Sequence, residues 1–213
     1  MRRSLAGDAI FKVAAGVLVA SAAVILFATL YVLSTGSTTV LQRFGLSFFT
    51  GVNWNPVEGR ESFGVLPYIL GTLVTSGIAL LIGVPLSLGI AIFLAEMAPK
   101  AIRVPVSYLI ELLAAVPSVI FGLWGLFVLR FWVLNYIEKP VNAHLGWISI
   151  FSGTPFGLDL FTAGIILAIM IIPTVASVSR DVISAVPDYI REAAYGIGAT
   201  RWEVIRHWVL SYG

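Results

Sequence analysis

The polar residues of this chain gather in its last stretch, VPDYIREAAYGIGATRWEVIRHWVLSYG, from Val186 to Gly213. Their types suit recognition rather than bond making. The sequence contains no G-x-x-x-x-G-K-[ST] loop for nucleotide phosphates, no His-Glu-x-x-His, no nucleophile elbow and no cluster fit to bind a metal. Cysteine is absent, which removes disulfides and thiolate ligands. What remains is a folded display. Pro187 suits the first position of a helix, where its missing N–H costs nothing, and Asp188 falls in the positive first turn. Arg191, Glu192, Ala193 and Ala194 continue that helix, and Gly196 and Gly198 interrupt it. Thr200 and Glu203 have capping-box spacing, so a second helix is predicted from Arg201. The small residues at the bend let another surface come close to the backbone. On these residues alone the stretch fits an amphipathic hairpin, a helix-turn-helix DNA reader or a docking loop.

The elements that hold this stretch are membrane spans. Of the 213 residues, 59% are hydrophobic and 11% charged, against about a quarter charged in soluble domains, and the mean hydropathy is +0.98. The expected fold is all-α, a polytopic membrane helical bundle. Residues 1–12 read as a cytoplasmic N-terminus with Arg2, Arg3 and Lys12, and 13–33 as a first span. The apolar run exceeds the roughly 7–15 residues of a signal-peptide core, so it reads as a retained helix. Residues 34–65 form an outer loop with a short interfacial helix at Val40 to Phe49, and with Phe48, Phe49 and Trp54 at the membrane surface. Residues 66–213 form the rest of the bundle, with spans at 66–94, 104–129 and 160–178 and the polar loop at 186–213.

Small residues four apart, Ala79 with Gly83 and Pro85 with Gly89, mark close helix packing in the second span. Pro85, Pro117 and Pro173 are the expected kinks. Glu111 is the one ionisable residue inside a span, about 12 Å in from Arg103 at 1.5 Å per residue. Such a carboxylate is expected in a structural ion pair or, second, on a translocation path. The second outer loop, Arg130 to Asp159, carries Trp132, Tyr136, Trp147 and Phe151 as interfacial anchors.

With the N-terminus inside, nine basic residues are cytoplasmic: Arg2, Arg3, Lys12, Lys100, Arg103, Arg180, Arg191, Arg201 and Arg206. Four, Arg43, Arg60, Arg130 and Lys139, lie outside, in line with the positive-inside rule. The net charge of +2 is too small and dispersed for a nucleic-acid partner. Arg201 and Arg206 are separated by Glu203, which is poor for phosphate contacts. A secondary transporter would need an inverted repeat or several intramembrane charges.

Glu192-Ala193-Ala194, three residues, then Gly198 resembles the EAA loop of ABC-transporter permeases. Trp208 and Ser211 stand where that loop has an aliphatic residue and a proline. Further blocks resemble phosphate-specific ABC permeases of the PstC type. These are Phe48-Phe49-Thr50-Gly51, Trp54-Asn55-Pro56, Gly64-x-Leu66-Pro67-Tyr68-Ile69-x-Gly71-Thr72-Leu73, and Glu111 through Pro117-Ser118-Val119-Ile120 to Gly122 and Gly125. The resemblance implies a MetI-like permease bundle in a bacterial inner membrane. Its loop, with Glu192, Ala193, Ala194, Gly198, Thr200 and Arg201, would dock on an ATPase. It implies a second permease subunit, two ATP-binding subunits that hold the ATP, an extracytoplasmic phosphate-binding protein and surrounding lipid as partners, with no cofactor in this chain. The family has six spans and an Arg-x-x-Gly-Glu pattern beyond the loop. Four spans are legible here and that pattern is not, so the resemblance implies a C-terminally truncated form. The alternative reading is a permease for another solute, such as sulfate or an amino acid.

Overall fold

The computed structural model describes residues 2–148 and 152–212, with side chains from residue 7 onward. Phe151 and Gly213 lie outside the described residues. The chain divides into two compact units, Met1–Ile69 and Leu70–Gly213. Among the described residues, four helices are long and apolar enough to cross a membrane: Gly7–Phe44, Leu66–Met97, Ser118–Leu145 and Leu160–Ser184.

In the first unit, helix α1 (Arg2–Phe44) absorbs both the N-terminal segment and the start of the expected outer loop. Its Ser and Thr residues do not end it, because their hydroxyls bond back to carbonyls of the preceding turn, Thr35 to Tyr31 O at 3.0 Å and Ser37 to Leu33 O at 2.7 Å. The apolar window of α1 has none of its residues buried. Gly45 (φ 55°) turns the chain into α2 (Ser47–Thr50), so the expected interfacial helix at Val40 to Phe49 is really two pieces.

A two-stranded antiparallel hairpin follows, β1 (Trp54–Asn55) with β2 (Ser62–Phe63), pairing Trp54 with Phe63. Trp54 meets the Phe63 ring edge-on at 5.0 Å and the Tyr68 ring at 5.6 Å, while Phe44 meets Phe63 at 5.5 Å. Arg43 pairs with Glu61 at 3.0 Å. Gly51 and Gly64 cross in direct backbone contact; a Cβ on Gly64 would sit 2.2 Å from the Gly51 carbonyl. The latter part of the segment expected as a loop at 34–65 is therefore a small aromatic-centred fold.

In the second unit, α3 (Leu66–Ile92, entering from the first unit) continues through a π-helical turn at Phe93–Met97. The buried face of α3 is a stripe of small residues four apart, Ala79, Gly83, Ser87 and Ala91. It packs on α8 (Leu160–Ser184) closely enough that a Cβ on Gly83 would lie 2.7 Å from Ile171. On α8, a Cβ on Gly164 would lie 2.7 Å from Ile78 Cβ. The Ser87 hydroxyl donates within its own helix to Gly83 O at 2.6 Å and lies 3.3 Å from Ile172 O of α8. Of the expected spacings, Ala79–Gly83 lies on this stripe; Gly89 faces open space.

The expected span at 104–129 is not one helix. Helix α4 (Lys100–Ala114) stops, and α5 (Ser118–Trp124) starts after Pro117. A proline lacks the donor and pushes the preceding Val116 away from helical geometry. From α5 the helix runs on through α6 (Arg130–Val133) and α7 (Lys139–Leu145), with π-helical turns at Gly125–Leu129 and Leu134–Glu138. The loop expected from Arg130 to Asp159 therefore begins only after Leu145. Its charges are accommodated on the helix, with Arg130 over the Phe131 ring at 4.4 Å and Lys139 donating to Asn135 at 2.8 Å. Asp159 caps α8, accepting from Thr162 N at 2.8 Å. Pro85 and Pro173 sit inside helices that continue past them, and Pro173 is buried.

Candidate functional site, a hairpin on two helix ends

The C-terminal stretch folds as the residue types dictate. Helix α9 spans Asp188–Gly196. Gly198, at φ 86°, makes the turn in a left-handed conformation that costs other residues about 1–2 kcal/mol. Thr200 then caps α10 (Arg201–Glu203), and its capping box is complete: the Glu203 carboxylate accepts from Thr200 N at 2.8 Å and from the Thr200 hydroxyl at 2.7 Å. The Thr200 N–H, first, and its hydroxyl hold the Glu203 carboxyl below the usual carboxylate range. A π-helical turn at Val204–Val209 and the short α11 (Leu210–Tyr212) complete the second arm.

One face of the hairpin is buried. Ala194, Val204 and Val209 pack with Ala91 of α3 and with Ile183 and Val186 at the end of α8. The other face is open: Glu192 and Ala193 are exposed, as are Tyr195, Ile197 and Trp202. The Glu192-Ala193-Ala194 triplet thus divides its work. Its first two residues face outward and Ala194, with 0% exposure, anchors the helix. Thr200 and Arg201 are exposed at the start of the second arm. Beside the turn, a shallow hollow of about 490 Å³ is lined by Ile197, Gly198, Ala199, Glu203, His207 and Trp208.

Three arginines hold this assembly by capping helix ends. Arg103 donates to Ala95 O at 2.6 Å. Arg201 donates to the Glu96 carbonyl, which also ends α3. Arg191 donates to Ile183 O at 3.0 Å and to Val186 O, at the end of α8, and its guanidinium also meets the Glu96 carboxylate at 2.8 and 3.1 Å. The last carbonyls of a helix lack partners within it and carry its negative dipole end, so cations are stabilised there. Counting charges for topology noticed these arginines but missed their roles. The carboxylate of Glu96 was missed altogether; its signal was a lone acid closing an apolar span on the same side as the arginine-rich loop.

Glu111 lies on α4, which is not among the four helices of membrane-crossing length, so its expected place inside a span is not found. Its carboxylate accepts from Arg180 of α8 at 3.0 Å, and Arg180 also reaches Asp181 at 2.8 Å. The expected ion pair is therefore present, and it ties α4 to α8. Glu111 and Arg180 border a hollow of about 360 Å³ with Arg103, Ser107 and Tyr108. Among the described residues no group of three or more His, Cys, Asp or Glu is placed to hold a metal ion.

Comparison with known proteins matches residues 87–210, from the end of α3 through the hairpin, to the family described as binding-protein-dependent transport system inner membrane component. "Phosphate transport system permease protein PstC" of Haemophilus influenzae is 47% identical over 209 residues, covering 96% of this chain and 66% of its own length. The protein of the same name from Mesorhizobium japonicum is 43% identical over 216 residues, covering 100% of this chain and 65% of its own length. "Phosphate transport system permease protein PstC 2" of Mycobacterium tuberculosis is 38% identical over 218 residues, covering 100% and 67%. The chain thus spans about two thirds of the length of these relatives. No solved structure matches it. A matched region that takes in α4 to α10, together with apolar helices of membrane-crossing length, places this chain in the binding-protein-dependent transport system inner membrane components, a family of multi-pass helical membrane permeases.

Proposed function

We propose that this chain is a transmembrane permease subunit of an ATP-driven phosphate importer, and that the hairpin of α9 and α10 docks on its ATPase subunits. One observation carries the docking assignment: Glu192 and Ala193 are presented outward by a hairpin whose opposite face is packed on the ends of two membrane-length helices. The names of the relatives support phosphate as the substrate. The partners are a second permease subunit completing the path, two ATP-binding subunits and an extracytoplasmic phosphate-binding protein. ATP is bound and hydrolysed by the partners, and this chain acts as a transport subunit. Closure of the ATPase pair pushes the hairpin, α3 and α8 tilt with it, and the path opens outward to receive substrate. Hydrolysis reopens it inward.

The N-terminus and the hairpin lie in the cytoplasm of a bacterial inner membrane. Nine basic residues on the cytoplasmic side support this orientation, with Arg43 at the far end of α1, Arg60 in the loop after it and Arg130 and Lys139 on the Ser118–Leu145 helix; an even number of crossings returns the chain to its starting side. A DNA-reading hairpin is disfavoured, because Arg191 and Arg201 are already committed to Glu96.

The test is Glu192→Lys in the complete transporter. Membrane insertion is expected to be normal, with co-purification of the ATPase and phosphate uptake both lost; unchanged uptake would remove the docking assignment. Competition by sulfate and amino acids in the same uptake assay separates phosphate from other solutes.

A further inference from the structure

We infer that Glu96 is a positioning residue for transport, the joint through which displacement of the hairpin reaches both spans. The inference rests on the docking role proposed above. Both hairpin arms converge on this one residue. From the first arm, Arg191 places Nη2 and Nε on Glu96 Oε1 at 2.8 and 3.1 Å. From the second arm, Arg201 donates to the Glu96 backbone carbonyl. Arg191 simultaneously holds Ile183 O and Val186 O, so the end of α8 is drawn into the same knot.

The pair is shielded from solvent: its side chains are 16% and 10% exposed, for Arg191 and Glu96. Charge-assisted bonds in that setting are shorter and stronger than ordinary ones. By contrast, the remaining α3–α8 packing is mostly uncharged contact of small residues with isoleucine side chains, Gly83 with Ile171 and Gly164 with Ile78. The π-helical turn at Phe93–Met97 puts Glu96 where it can be reached. There Ala98 N bonds to Phe93 O at 2.7 Å, one residue beyond α-helical register, and the wider turn presents the Glu96 side chain and carbonyl together. A push on α9 is therefore delivered to α3 and α8 as one body. Without the carboxylate charge, the hairpin keeps its apolar seat, Arg191 keeps Asp188 and Arg201 keeps the Glu96 carbonyl, but the tie from Arg191 to α3 loses its charge assistance.

The experiment uses the complete transporter, with its ATPase subunits and binding protein, in phospholipid vesicles. It measures ATPase co-purification, ATP hydrolysis and uptake of inorganic phosphate per ATP. In Glu96→Gln, which keeps the side-chain shape and removes the charge, co-purification should stay within about twofold, while uptake per ATP falls about tenfold or more. Glu96→Asp, which keeps the charge, should recover part of the loss. Unchanged uptake per ATP in Glu96→Gln would overturn the inference. So would a fall in co-purification that matches the fall in uptake, since that marks a merely structural role. Normal co-purification of Glu192→Lys would sink the docking assignment on which the joint rests, an outcome distinguishable from either result in Glu96→Gln.

Discussion

At the scale of single residues, the hairpin separates outward-facing groups from those that shape it. Gly198 shapes it through backbone conformation alone, since nothing lies within 4 Å of where its Cβ would be. Gly198→Pro fixes φ near −65°, whereas the turn needs φ 86°; we expect it to abolish ATPase co-purification while membrane insertion continues. Thr200 and Glu203 shape it through the cap. Thr200→Ala should cost the second arm about 1 kcal/mol, read as faster amide hydrogen exchange at residues 201–204. The pH dependence follows from the same contacts. Glu203 has its folded-state pKa depressed by donors from Thr200. Its stabilising contribution is therefore present above the unfolded carboxylate value and is lost as pH falls through the lower, folded value. The protection factor of the second arm, exchange relative to the intrinsic rate at each pH, should be flat through neutral pH and fall only in acid; Thr200→Ala, which removes the hydroxyl donor and keeps the backbone N–H, should reduce that fall.

At the scale of elements, α3 against α8 shows how small residues set a helix contact. In lipid, apolar burial gives no preference for one helix over another, so close approach between small residues sets the fit. The sequence contains more glycines than the contact uses. A Cβ on Gly164 would fall 2.7 Å from Ile78 Cβ, an atom fixed close to its backbone, whereas Gly89 has nothing within 4 Å. We expect Gly164→Ala to destabilise the pair by about 1–3 kcal/mol, seen as earlier thermal aggregation in detergent. Gly89→Ala should leave that temperature unchanged or raise it slightly. Gly83→Ala should fall between them, because the atoms it meets are the far end of the Ile171 side chain. The break between α4 and α5 belongs to this scale as well. Pro117 divides what the apolar run alone suggests is continuous, and the Glu111–Arg180 pair then seats α4 on α8.

At the scale of the whole molecule, the proposed orientation puts Thr200 and Arg201 in the cytoplasm. Because the chain contains no cysteine, Thr200→Cys gives a unique thiol. A membrane-impermeant maleimide added to intact cells should leave it unlabelled and should label it in inverted vesicles; labelling from outside would end the coupling assignment. The sequence by itself determined the all-helical membrane class, the capping box and the glycine turn, which depend on composition or on contacts a few residues apart. For Glu111 it left an ion pair and a translocation path open, and only the tertiary structure brings Arg180 to it from 69 positions away. Helix extents were less legible, since polar and charged residues at Ser34 to Phe44 and Arg130 to Leu145 imitate loops yet bond within their own helices. Tertiary structure alone decided which glycines touch, how Trp54, Phe63 and Tyr68 gather, and that Glu96 receives Arg191 and Arg201. Arg191 and Arg201 lie 95 and 105 positions along the chain from Glu96. No local spacing rule spans that separation; only the return of α8 to the end of α3 brings them together.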